Sequence, residues 1–329
     1  MSVASGRRVC VVIISHNSGD TLGRCLDCLG VQTYRDFDVI LLDNASRERP
    51  GPLVSDRPFP VSYMEMADNL GFAEGMNTAM AATSAPYVVA LNPDAYAEPD
   101  WLAALVAAAD TFPAVAAFGS LQLSAQDDRH IDGFGDHYLL TGQAWRGRTW
   151  PTAHSGGHPE YTFGVCAAAA LYRADAVRDA GGFDRRYFCF YEDVDLSFRL
   201  RLAGHHCAVI RNAVVRHVGG ASFTGQSAFA EYLIARNEWW TLIKNMPLAL
   251  LWIAVPGYLA IQLLAAIKSR RPARLKGVRE ALSRTDEFLA SRREIQARRK
   301  ISVTDMARWL AWRPSLFFGK VSVIRNLDR

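Results

Sequence analysis

The 329-residue sequence contains no G-x-x-x-x-G-K-[ST] loop, and no G-x-G-x-x-G follows its first predicted strand. Such loops wrap nucleotide phosphates with backbone N–H groups, so their absence argues against P-loop nucleotidases and dinucleotide dehydrogenases. If the protein binds a nucleotide diphosphate, the phosphate charge must be neutralised in another way. A divalent cation is the simplest means, because proteins commonly hold Mg²⁺ with carboxylates and substrate phosphates together.

Cysteine is also scarce, with six residues and no spacing typical of a secreted disulfide framework. Cys25 and Cys28 form a C-x-x-C pair inside an apparent helix, but no second pair follows at zinc-finger spacing. We therefore expect reduced thiols without a redox or metal role. The first apolar run, residues 9–14, is too short for the core of a signal peptide, which favours a cytoplasmic body.

Charge is distributed unevenly, although the net charge is only +4. Residues 268–329 carry 17 Lys/Arg against 6 Asp/Glu, a local balance of +11, which leaves −7 for the rest of the chain. An acidic body with a basic tail indicates an anionic partner surface. Nothing else in the chain supports nucleic-acid recognition, so we expect an anionic membrane surface and no nucleic acid.

Apolar runs alternate with helical patterns in the N-terminal part of the chain. The runs predict strands at residues 9–14, 38–42, 61–66 and 87–91, and the helical patterns predict helices at 21–29 and 72–82. This order predicts an α/β fold with a mostly parallel sheet. Ligands of such sheets bind beyond the carboxyl ends of the strands. The polar residues at those ends are Asn17, Asp43, Asn69 and Asp94.

The middle of the chain is less regular. A helix starting near Glu98-Pro99 is followed by predicted strands at 115–123, 167–172 and 207–210. Residues 124–162 have weak periodicity and many Gly, His, Asp and aromatic residues, which indicates a substrate-covering insertion. Residues 194–202 alternate like a strand, but Gly204 at their end favours a helix, and we predict a helix.

The most informative motif is FYEDVD at residues 190–195, in which Glu192, Asp193 and Asp195 follow aromatic residues. Aromatic neighbours indicate a partly desolvated cleft, and desolvation raises carboxylate pKa values toward the range of a general base. A helix beginning near Asp193 would oppose that rise through its dipole. The alternative interpretation is an acidic helix N-terminus with solvated caps.

Three further residues are candidates for binding, and each has a structural alternative. Asp43 ends the second predicted strand, where its carboxylate could accept the imide N–H of uracil or thymine, or form an Asx-turn. Asp94 follows the fourth strand, and His217 follows a late one. They form a candidate pair of ligands for Mg²⁺ or Mn²⁺. A lone aspartate in a turn, or a histidine between apolar residues, is also often purely structural.

Together these segments closely resemble the inverting glycosyltransferase family 2, and most of all its bacterial rhamnosyltransferase-like members that build cell-surface polysaccharides. The resemblance covers about residues 8–245. The motifs that carry it, in order, are Ser15-His-Asn17, Leu42-Asp43-Asn44-Ala-Ser46, Asn69-Leu-Gly-Phe-Ala-Glu-Gly-Met-Asn77, Leu91-Asn-Pro-Asp94, Gly181-Gly-Phe-Asp184 and Phe190-Tyr-Glu-Asp-Val-Asp195.

The resemblance implies a GT-A fold, a nucleotide-diphosphate sugar donor and a metal-assisted single displacement that inverts the anomeric centre. By the family's pattern Asp193 is the general base, and Glu192 is the acidic neighbour that helps to place the acceptor or the base. Asp94 and His217 are the implied ligands of Mg²⁺ or Mn²⁺. Asn92 stands where the Asp-x-Asp metal motif has its first aspartate. The residues implied to bind the donor are Ser15, Asn17, Asp43, Asn69, Gly71, Asn77, Asn92, Asp94 and Arg236.

The family members that the chain resembles imply dTDP-L-rhamnose as the donor, with a UDP-sugar as the alternative. They imply a saccharide or polyprenyl-linked saccharide as the acceptor. A nucleotidyltransferase is less expected, because residues 15–25 lack the lysine of a phosphate loop. A non-catalytic saccharide-binding protein is less expected as well, because Asp94, Asp193 and His217 are all present. An oligomer is compatible with the sequence.

Residues 246–267 are 22 consecutive residues without a charge, which is long enough to span a bilayer. Pro256-Gly257 interrupts this run, and both flanks are expected on the cytoplasmic side. We therefore predict two half-length helices that pack on the body or lie in the membrane interface, with residues 268–329 held by anionic headgroups. The alternative is a buried helical hairpin with an ordinary solvated basic face.

The predicted domain division follows from the same observations. Residues 1–224 form the catalytic domain for the nucleotide sugar and the acceptor, and residues 225–329 form a helical, basic, membrane-associating region. This division predicts a protein that is peripheral on the inner face of the cell membrane.

Overall fold

The computed structural model describes residues 6–127, 129–150, 159–219, 227–268 and 272–325. The strands are β1 (Val9–Ser15), β2 (Phe37–Asp43), β3 (Val61–Glu65), β4 (Tyr87–Leu91), β5 (Ala95–Ala97), β6 (Val115–Ser124), β7 (Ile131–Phe134), β8 (Asp136–Tyr138), β9 (Ala144–Arg146), β10 (Glu160–Thr162), β11 (Ala169–Arg173) and β12 (His206–His217). The α-helices are α1 (Asp20–Gly30), α2 (Gly71–Ala81), α3 (Trp101–Thr111), α4 (Ala174–Asp179), α5 (Glu192–Leu202), α6 (Ala228–Asn245), α7 (Leu248–Lys268), α8 (Pro272–Ser283), α9 (Thr285–Ala297), α10 (Val303–Trp309) and α11 (Pro314–Phe318).

A mixed sheet forms the centre of the fold, in the order β10-β12-β6-β11-β4-β1-β2-β3. β1 pairs in parallel with β2 and β4, β2 pairs in parallel with β3, and β6 with β12. β11 lies antiparallel between β4 and β6. The predicted α/β architecture, with a mostly parallel central sheet flanked by helices, is confirmed.

Burial on both faces of the sheet explains the continuous apolar runs in the sequence. In β1, Val11 and Ile13 belong to a core that also contains α1 and α3. Cys10 and Val12 belong to a second core with α2, α4 and α5 on the other face. A strand with apolar contacts on both faces shows no polar alternation, so each predicted run becomes a strand.

Residues 124–162, predicted as an irregular insertion, contain short strands in their described part. β7 pairs with β6, β8 with β9, and β10 with β12. These strands bring Asp136, Trp145 and Arg146 to the pocket that also contains the FYEDVD motif. The insertion therefore contributes side chains to the pocket, while its role as a substrate cover stays a prediction.

The helix predicted at residues 194–202 is observed as α5. α5 is buried on nearly all sides, so its alternating polar residues lie in the interior and are paired there, as Asp195 is with Arg199. Arg199 and Arg201 are buried with the rest of the helix. Gly204 has a φ of 91° just after the helix, a conformation in which glycine ends helices readily.

The described part of the C-terminal region is helical from α6 to α11. Its core includes Trp240 of α6 and Phe288 of α9, which stack with ring centroids 4.4 Å apart. The end of the chain then returns to the insertion. The Trp145 indole donates to the carbonyl of Val321, and Arg325 pairs with Tyr161 of β10. The division between residues 224 and 225 stays a prediction.

The prediction of two half-length helices at residues 246–267 is wrong, because α7 is one helix with Pro256 inside it. Proline removes one backbone donor and crowds the carbonyl of residue 252. Gly257 does not break the helix. Its lack of a side chain allows close packing on Thr141, because a Cβ there would lie 2.5 Å from Thr141 Cγ2. The stretch Leu248–Ala265 is long and apolar enough to cross a membrane, by length and composition alone.

Candidate active site

A pocket of about 260 Å³ lies where the carboxyl end of β4 meets the N-terminus of α5. Its lining comes from distant parts of the chain, which include Asn92 after β4, Trp145 and Arg146 of β9, and Glu192 and Asp193 of α5. Open α/β sheets bind their ligands beyond the carboxyl ends of their strands. The pocket occupies that position, and it contains the motif that the sequence singled out.

The segment that leads into α5 has an unusual backbone conformation. Phe188, Phe190 and Tyr191 have φ angles of 65°, 67° and 69°, in the region that favours glycine. The side chain of Asn237 in α6 supports this conformation, because Nδ2 donates to the carbonyls of Cys189 and Phe190 at 3.0 and 2.7 Å. Strained backbone held by its surroundings is typical of functional sites.

Asp193, the predicted general base, lines the pocket in a half-buried position. Its Oδ1 accepts a hydrogen bond from the N–H of Val194 at 2.8 Å, and its Oδ2 accepts one from the N–H of Ala167 at 3.0 Å. These two backbone donors fix the orientation of the carboxylate. Each oxygen retains a lone pair, so the group can still accept a proton from a bound molecule.

The two neighbouring carboxylates differ in environment. Glu192 is buried, and burial together with the Asp193 charge raises its pKa well above the ordinary value. Its Oε2 has no hydrogen-bond partner in the described part of the chain. Asp195 is fully buried and paired with Arg199 and Lys244 at 2.7 and 2.9 Å. Asp195 is therefore part of the scaffold, whereas Glu192 borders the pocket.

The structure adds residues that the motifs did not reveal. Asp136, Cys166 and Asp193 bring one ligand atom each to within 4.8 Å of one another, a spacing that could hold a metal ion. The Arg146 guanidinium already donates to Cys166 Sγ. Burial raises the pKa of Cys166, so its sulfur is a neutral thiol and a poor ligand for Mg²⁺ or Mn²⁺. Arg146 thus supplies the cation in this cluster.

Asp136 is an unusual acid in this cluster. Burial, and after it the charge of Asp193, raises its pKa from 3.8 to about 7, although Arg146 opposes this. Asp136, Arg146 and Cys166 lie in or beside the weakly periodic part of the sequence. For Asp136 and Arg146 the local signal was the weak periodicity of residues 124–162 and their many Gly, His, Asp and aromatic residues, and for Cys166, outside that range, the motifs gave none.

Asp94 and His217, predicted as metal ligands, are neighbours in the structure. The pairing of β5 with β12 places His217 opposite Ala95, and the Val218 N–H donates to the Asp94 carbonyl at 3.0 Å. Both side chains are buried, with His217 Nε2 3.4 Å from Asp94 Oδ1. Among the described residues, Nε2 has no hydrogen-bond partner. A buried imidazole nitrogen without a partner, facing a carboxylate oxygen, fits a divalent cation such as Mn²⁺.

A second carboxylate, Asp132 of β7, contacts the other ring nitrogen of His217. Its Oδ2 lies 2.8 Å from Nδ1. Burial opposes charge on both groups, but their mutual hydrogen bond and nearby charges outweigh it. The pKa of Asp132 is accordingly lowered to about 2, and that of His217 is raised. The motifs gave no signal for Asp132.

Asp43 lies at the end of β2 and is almost fully buried. Its Oδ1 accepts from the N–H of Ser46, three residues on, at 3.0 Å, which closes a local turn one residue longer than the Asx-turn that the sequence left open. Its Oδ2 accepts from the Tyr63 hydroxyl at 3.0 Å, a contact that contributes, after burial, to raising the pKa of Tyr63 to about 12. Each oxygen keeps a second lone pair, so the turn does not preclude contact with a base.

The predicted donor-binding residues around α2 are joined by hydrogen bonds. Asn69 Oδ1 accepts from the N–H of Gly71 at 2.9 Å. Gly71 has a φ of 77°, and a Cβ there would lie 2.5 Å from the Phe188 carbonyl oxygen. Asn77 exchanges hydrogen bonds with the backbone of Phe183 at 2.7 and 2.9 Å. Gly71 and Asn77 thus tie α2 to the segment before α5.

Ser15 and Asn17 lie at the carboxyl end of β1. The Ser15 hydroxyl contacts Ser18 at 3.0 Å, and Asn17 Oδ1 accepts from the N–H of Arg47 at 2.9 Å. These bonds connect the β1 and β2 ends. Donor contacts by Ser15, Asn17, Asn69, Gly71, Asn77 and Asn92 stay predictions.

Arg236, predicted to contact the donor, makes several contacts within the protein, and its donor contact stays a prediction. Its guanidinium donates to the Tyr187 carbonyl at 3.0 Å, pairs with Glu280 at 3.3 Å and covers the Trp240 ring. Arg236 does not line the described pocket. These contacts join α6 to α8 and to the segment before α5. The sequence alone could not specify how α6 is oriented against these neighbours.

Comparison with solved structures identifies the class of protein that this fold defines. The structure matches S. aureus TarS 1-349 in complex with UDP-GlcNAc over 93% of each chain, with a TM-score of 0.55 and 13% identity. It matches the mannosyltransferase PcManGT from Pyrobaculum calidifontis, in complex with GDP-Man and Mn²⁺, over 89% of this chain and 86% of that one, with a TM-score of 0.53 and 16% identity. The predicted GT-A glycosyltransferase fold is confirmed.

Residues 10–181 match the family described as "Glycosyl transferase family 2", and the chain belongs to this family. It is 30% identical over 254 residues to the N-acetylglucosaminyl-diphospho-decaprenol L-rhamnosyltransferase of Mycobacterium tuberculosis, covering 69% of this chain and 81% of that protein. It is 28% identical over 204 residues to the galactofuranosyltransferase GlfT1 of Mycolicibacterium smegmatis, covering 60% of this chain and 66% of that protein. The predicted family is confirmed, and the protein is a glycosyltransferase.

Proposed function

We propose that this glycosyltransferase transfers L-rhamnose from dTDP-L-rhamnose to a saccharide or polyprenyl-linked saccharide, with inversion, during cell-surface polysaccharide synthesis. The chain is similar to an L-rhamnosyltransferase, and the name of that relative includes N-acetylglucosaminyl-diphospho-decaprenol. This similarity supports the proposed donor and acceptor. A UDP-sugar is the alternative donor, supported by the similarity to GlfT1 and to TarS in complex with UDP-GlcNAc. The observation that carries the chemistry is the oriented Asp193 carboxylate in the pocket.

In the proposed reaction Asp193 is the general base. It removes the proton from an acceptor hydroxyl while that oxygen bonds to the anomeric carbon and the bond from this carbon to the nucleoside diphosphate breaks. A positioned carboxylate in this role typically contributes about 10²–10⁴-fold in rate. Attack opposite the leaving group inverts the anomeric centre in one displacement, so the enzyme needs no nucleophile of its own.

The proposed donor site lies along the strand ends next to this pocket. Asp43 accepts the imide N–H of the pyrimidine with its remaining lone pairs. Asp94 and His217 would hold Mg²⁺ or Mn²⁺, which when bound supplies positive charge for the departing diphosphate. The N-terminus of α2 at Gly71 adds positive potential for phosphate oxygens.

Donor binding can be tested by thermal shift with Mg²⁺ present. We expect dTDP-L-rhamnose to raise the melting temperature more than UDP-galactose, UDP-N-acetylglucosamine or GDP-mannose does. The Asp43→Ala variant should lose this increase, because it removes the acceptor for the pyrimidine N–H. The exposed Asp68→Ala variant, on the loop after β3, should retain it. A larger increase with a UDP-sugar would replace rhamnose in the proposal, and no increase with any donor would contradict the proposed donor site.

We also propose that α7 attaches the protein to an anionic membrane surface at the cytoplasmic side. One side of α7 is buried through Leu250, Leu251, Ala254 and Tyr258. The opposite side is apolar yet exposed, with exposed fractions of 64% for Leu248, 79% for Trp252, 47% for Leu259 and 63% for Leu263. At 100° per residue these four side chains share one face.

The basic sequence that follows the apolar run supports a lipid partner over a second apolar protein surface. The sequence directly after the apolar run is Lys268-Ser-Arg-Arg271, and the exposed Lys276 follows in α8. Basic residues next to an apolar helix face suit the anionic headgroups of a bilayer.

Vesicle co-sedimentation tests this attachment. We expect the protein to bind phosphatidylglycerol vesicles and to bind phosphatidylcholine vesicles weakly. Replacing Trp252 and Leu259 together with serine should weaken binding at least tenfold, because each buried apolar side chain contributes about 1.5–3 kcal/mol. Val31→Ser, which removes an exposed apolar side chain after α1, is the matched control and should bind normally. Equal binding by the double variant would exclude α7 as the attachment site.

A further inference from the structure

We propose that Asp132 is the positioning residue of the Asp94–His217 site, and that it holds His217 with the Nε2 lone pair directed at the cation position. This inference rests on the proposed function, because it assigns a role within the metal site described there. Nothing in the family motifs of the sequence involves Asp132.

The strand pairing explains how Asp132 reaches His217. β6 pairs with β12 on one side, where Ser124 is opposite His217, and with β7 on the other, where Leu123 is opposite Ile131. The end of β6 therefore lies between the two strands. Asp132 Oδ2 approaches His217 Nδ1 to 2.8 Å from the insertion side, opposite the nitrogen that faces Asp94.

Two arginines keep the Asp132 carboxylate ionised, so that it accepts hydrogen bonds and donates none. Arg146 Nη1 lies 3.1 Å from Oδ2, and Arg148 Nη2 lies 3.2 Å from Oδ1. A carboxylate between two guanidinium groups is ionised and can only accept hydrogen bonds. The proton of the imidazole must then lie on Nδ1, and a neutral His217 presents a bare lone pair at Nε2.

The Nε2 lone pair would face another acceptor, since Asp94 Oδ1 is only 3.4 Å away and both groups are buried. Two acceptors at this distance repel each other unless a cation, either a proton or a metal ion, neutralises them. Metal-ligating histidines commonly donate their second N–H to a carboxylate, which fixes the tautomer and the ring orientation. The Asp132–His217–Asp94 arrangement has this form.

The test measures Mn²⁺ binding to the whole protein in the presence of dTDP, with free Mn²⁺ followed by electron paramagnetic resonance. We expect Asp132→Ala to weaken Mn²⁺ binding about 10–100-fold, the usual cost of losing such a partner. Asp132→Asn should lose less, because its amide oxygen can still accept from Nδ1. Arg148→Ala removes an exposed partner of the same carboxylate and is the control that should bind Mn²⁺ nearly normally, with Arg146 still in place.

A second measurement needs neither metal nor activity. In the metal-free protein with ¹⁵N-labelled histidine, at a pH high enough for His217 to be neutral, its signal, assigned with His217→Ala, should show the tautomer protonated at Nδ1. In Asp132→Ala this signal should move toward a mixture of tautomers. A purely structural role of Asp132 would change the melting temperature without changing the tautomer.

The outcomes separate the two levels of the proposal. If Asp132→Ala binds Mn²⁺ as tightly as the parent while Asp94→Asn and His217→Ala do not, the role of Asp132 is wrong and the metal site stands. If neither Asp94→Asn nor His217→Ala weakens Mn²⁺ binding, the metal site itself is wrong. If Asp132→Ala fails to fold, Asp132→Leu, which fills the same space but has no acceptor for Nδ1, takes its place, and an unchanged tautomer or full Mn²⁺ affinity in that variant would overturn the inference.

Discussion

Asp193→Asn is expected to lower the rate of sugar transfer by about 10²–10⁴-fold, the usual contribution of a positioned general base. Donor affinity should remain nearly unchanged. The amide oxygen of asparagine can still accept one of the two backbone hydrogen bonds, from Val194 or Ala167, so the pocket should keep its shape. The amide cannot accept the proton of the acceptor hydroxyl. The measurement compares turnover under saturating donor with donor affinity from calorimetry.

The controls for this prediction come from the same helix. Asp195→Asn should act differently, because Asp195 is buried in ion pairs with Arg199 and Lys244, and its loss should lower the melting temperature. Glu192→Gln should preserve the fold, because burial already favours the neutral form of Glu192. A parallel loss of donor binding and turnover in Asp193→Asn would contradict its assignment as the base.

Asp136→Asn is expected to stabilise the protein at pH 8 and to have little effect on stability at pH 4. The pKa of Asp136 is raised from 3.8 to about 7 in the folded protein, first by burial and then by Asp193. The folded protein therefore holds a proton that the unfolded chain releases. Stability from this group is fully present below about pH 3.8 and is lost as the pH rises through about 7.

The expected size of this effect is large for one side chain. One pKa unit corresponds to about 1.4 kcal/mol, so the loss above pH 7 is on the order of a few kcal/mol. Asparagine has nearly the same shape and no charge to bury, so it removes the loss. Urea unfolding at pH 4, 6 and 8 measures the difference between the parent and the variant.

An exposed aspartate gives the matched control for the pH experiment. Asp68→Asn, at an exposed position after β3, should leave the pH dependence of unfolding as it is in the parent. If Asp136→Asn also shows the parent's decline from pH 4 to pH 8, Asp136 is ionised in the folded protein at low pH. In that case Arg146 stabilises the carboxylate more strongly than burial opposes it.

Much of the fold followed from local patterns. The continuous apolar runs at 9–14 and 38–42 predicted strands. The structure shows the physical reason, since apolar side chains cover both faces of β1 and β2. Asp94 and His217 were predicted as partners from separate motifs, and the structure places them 3.4 Å apart. The two half-length helices show where local patterns mislead, since the packing of Gly257 on Thr141 depends on another part of the chain.

The sequence by itself determined the order of strands and helices, the family, and the places of Asp43, Asp94 and Asp193 at strand ends and a helix start. These features follow from periodicity and motif spacing, which depend only on residues that are near one another in the sequence. Only the tertiary structure decided that residues 124–162 supply the remaining polar groups of the site, as in the contact of Asp132 with His217 across 85 positions. It also decided which carboxylates are desolvated, because burial and charge pairing arise from contacts between distant segments that no local pattern encodes.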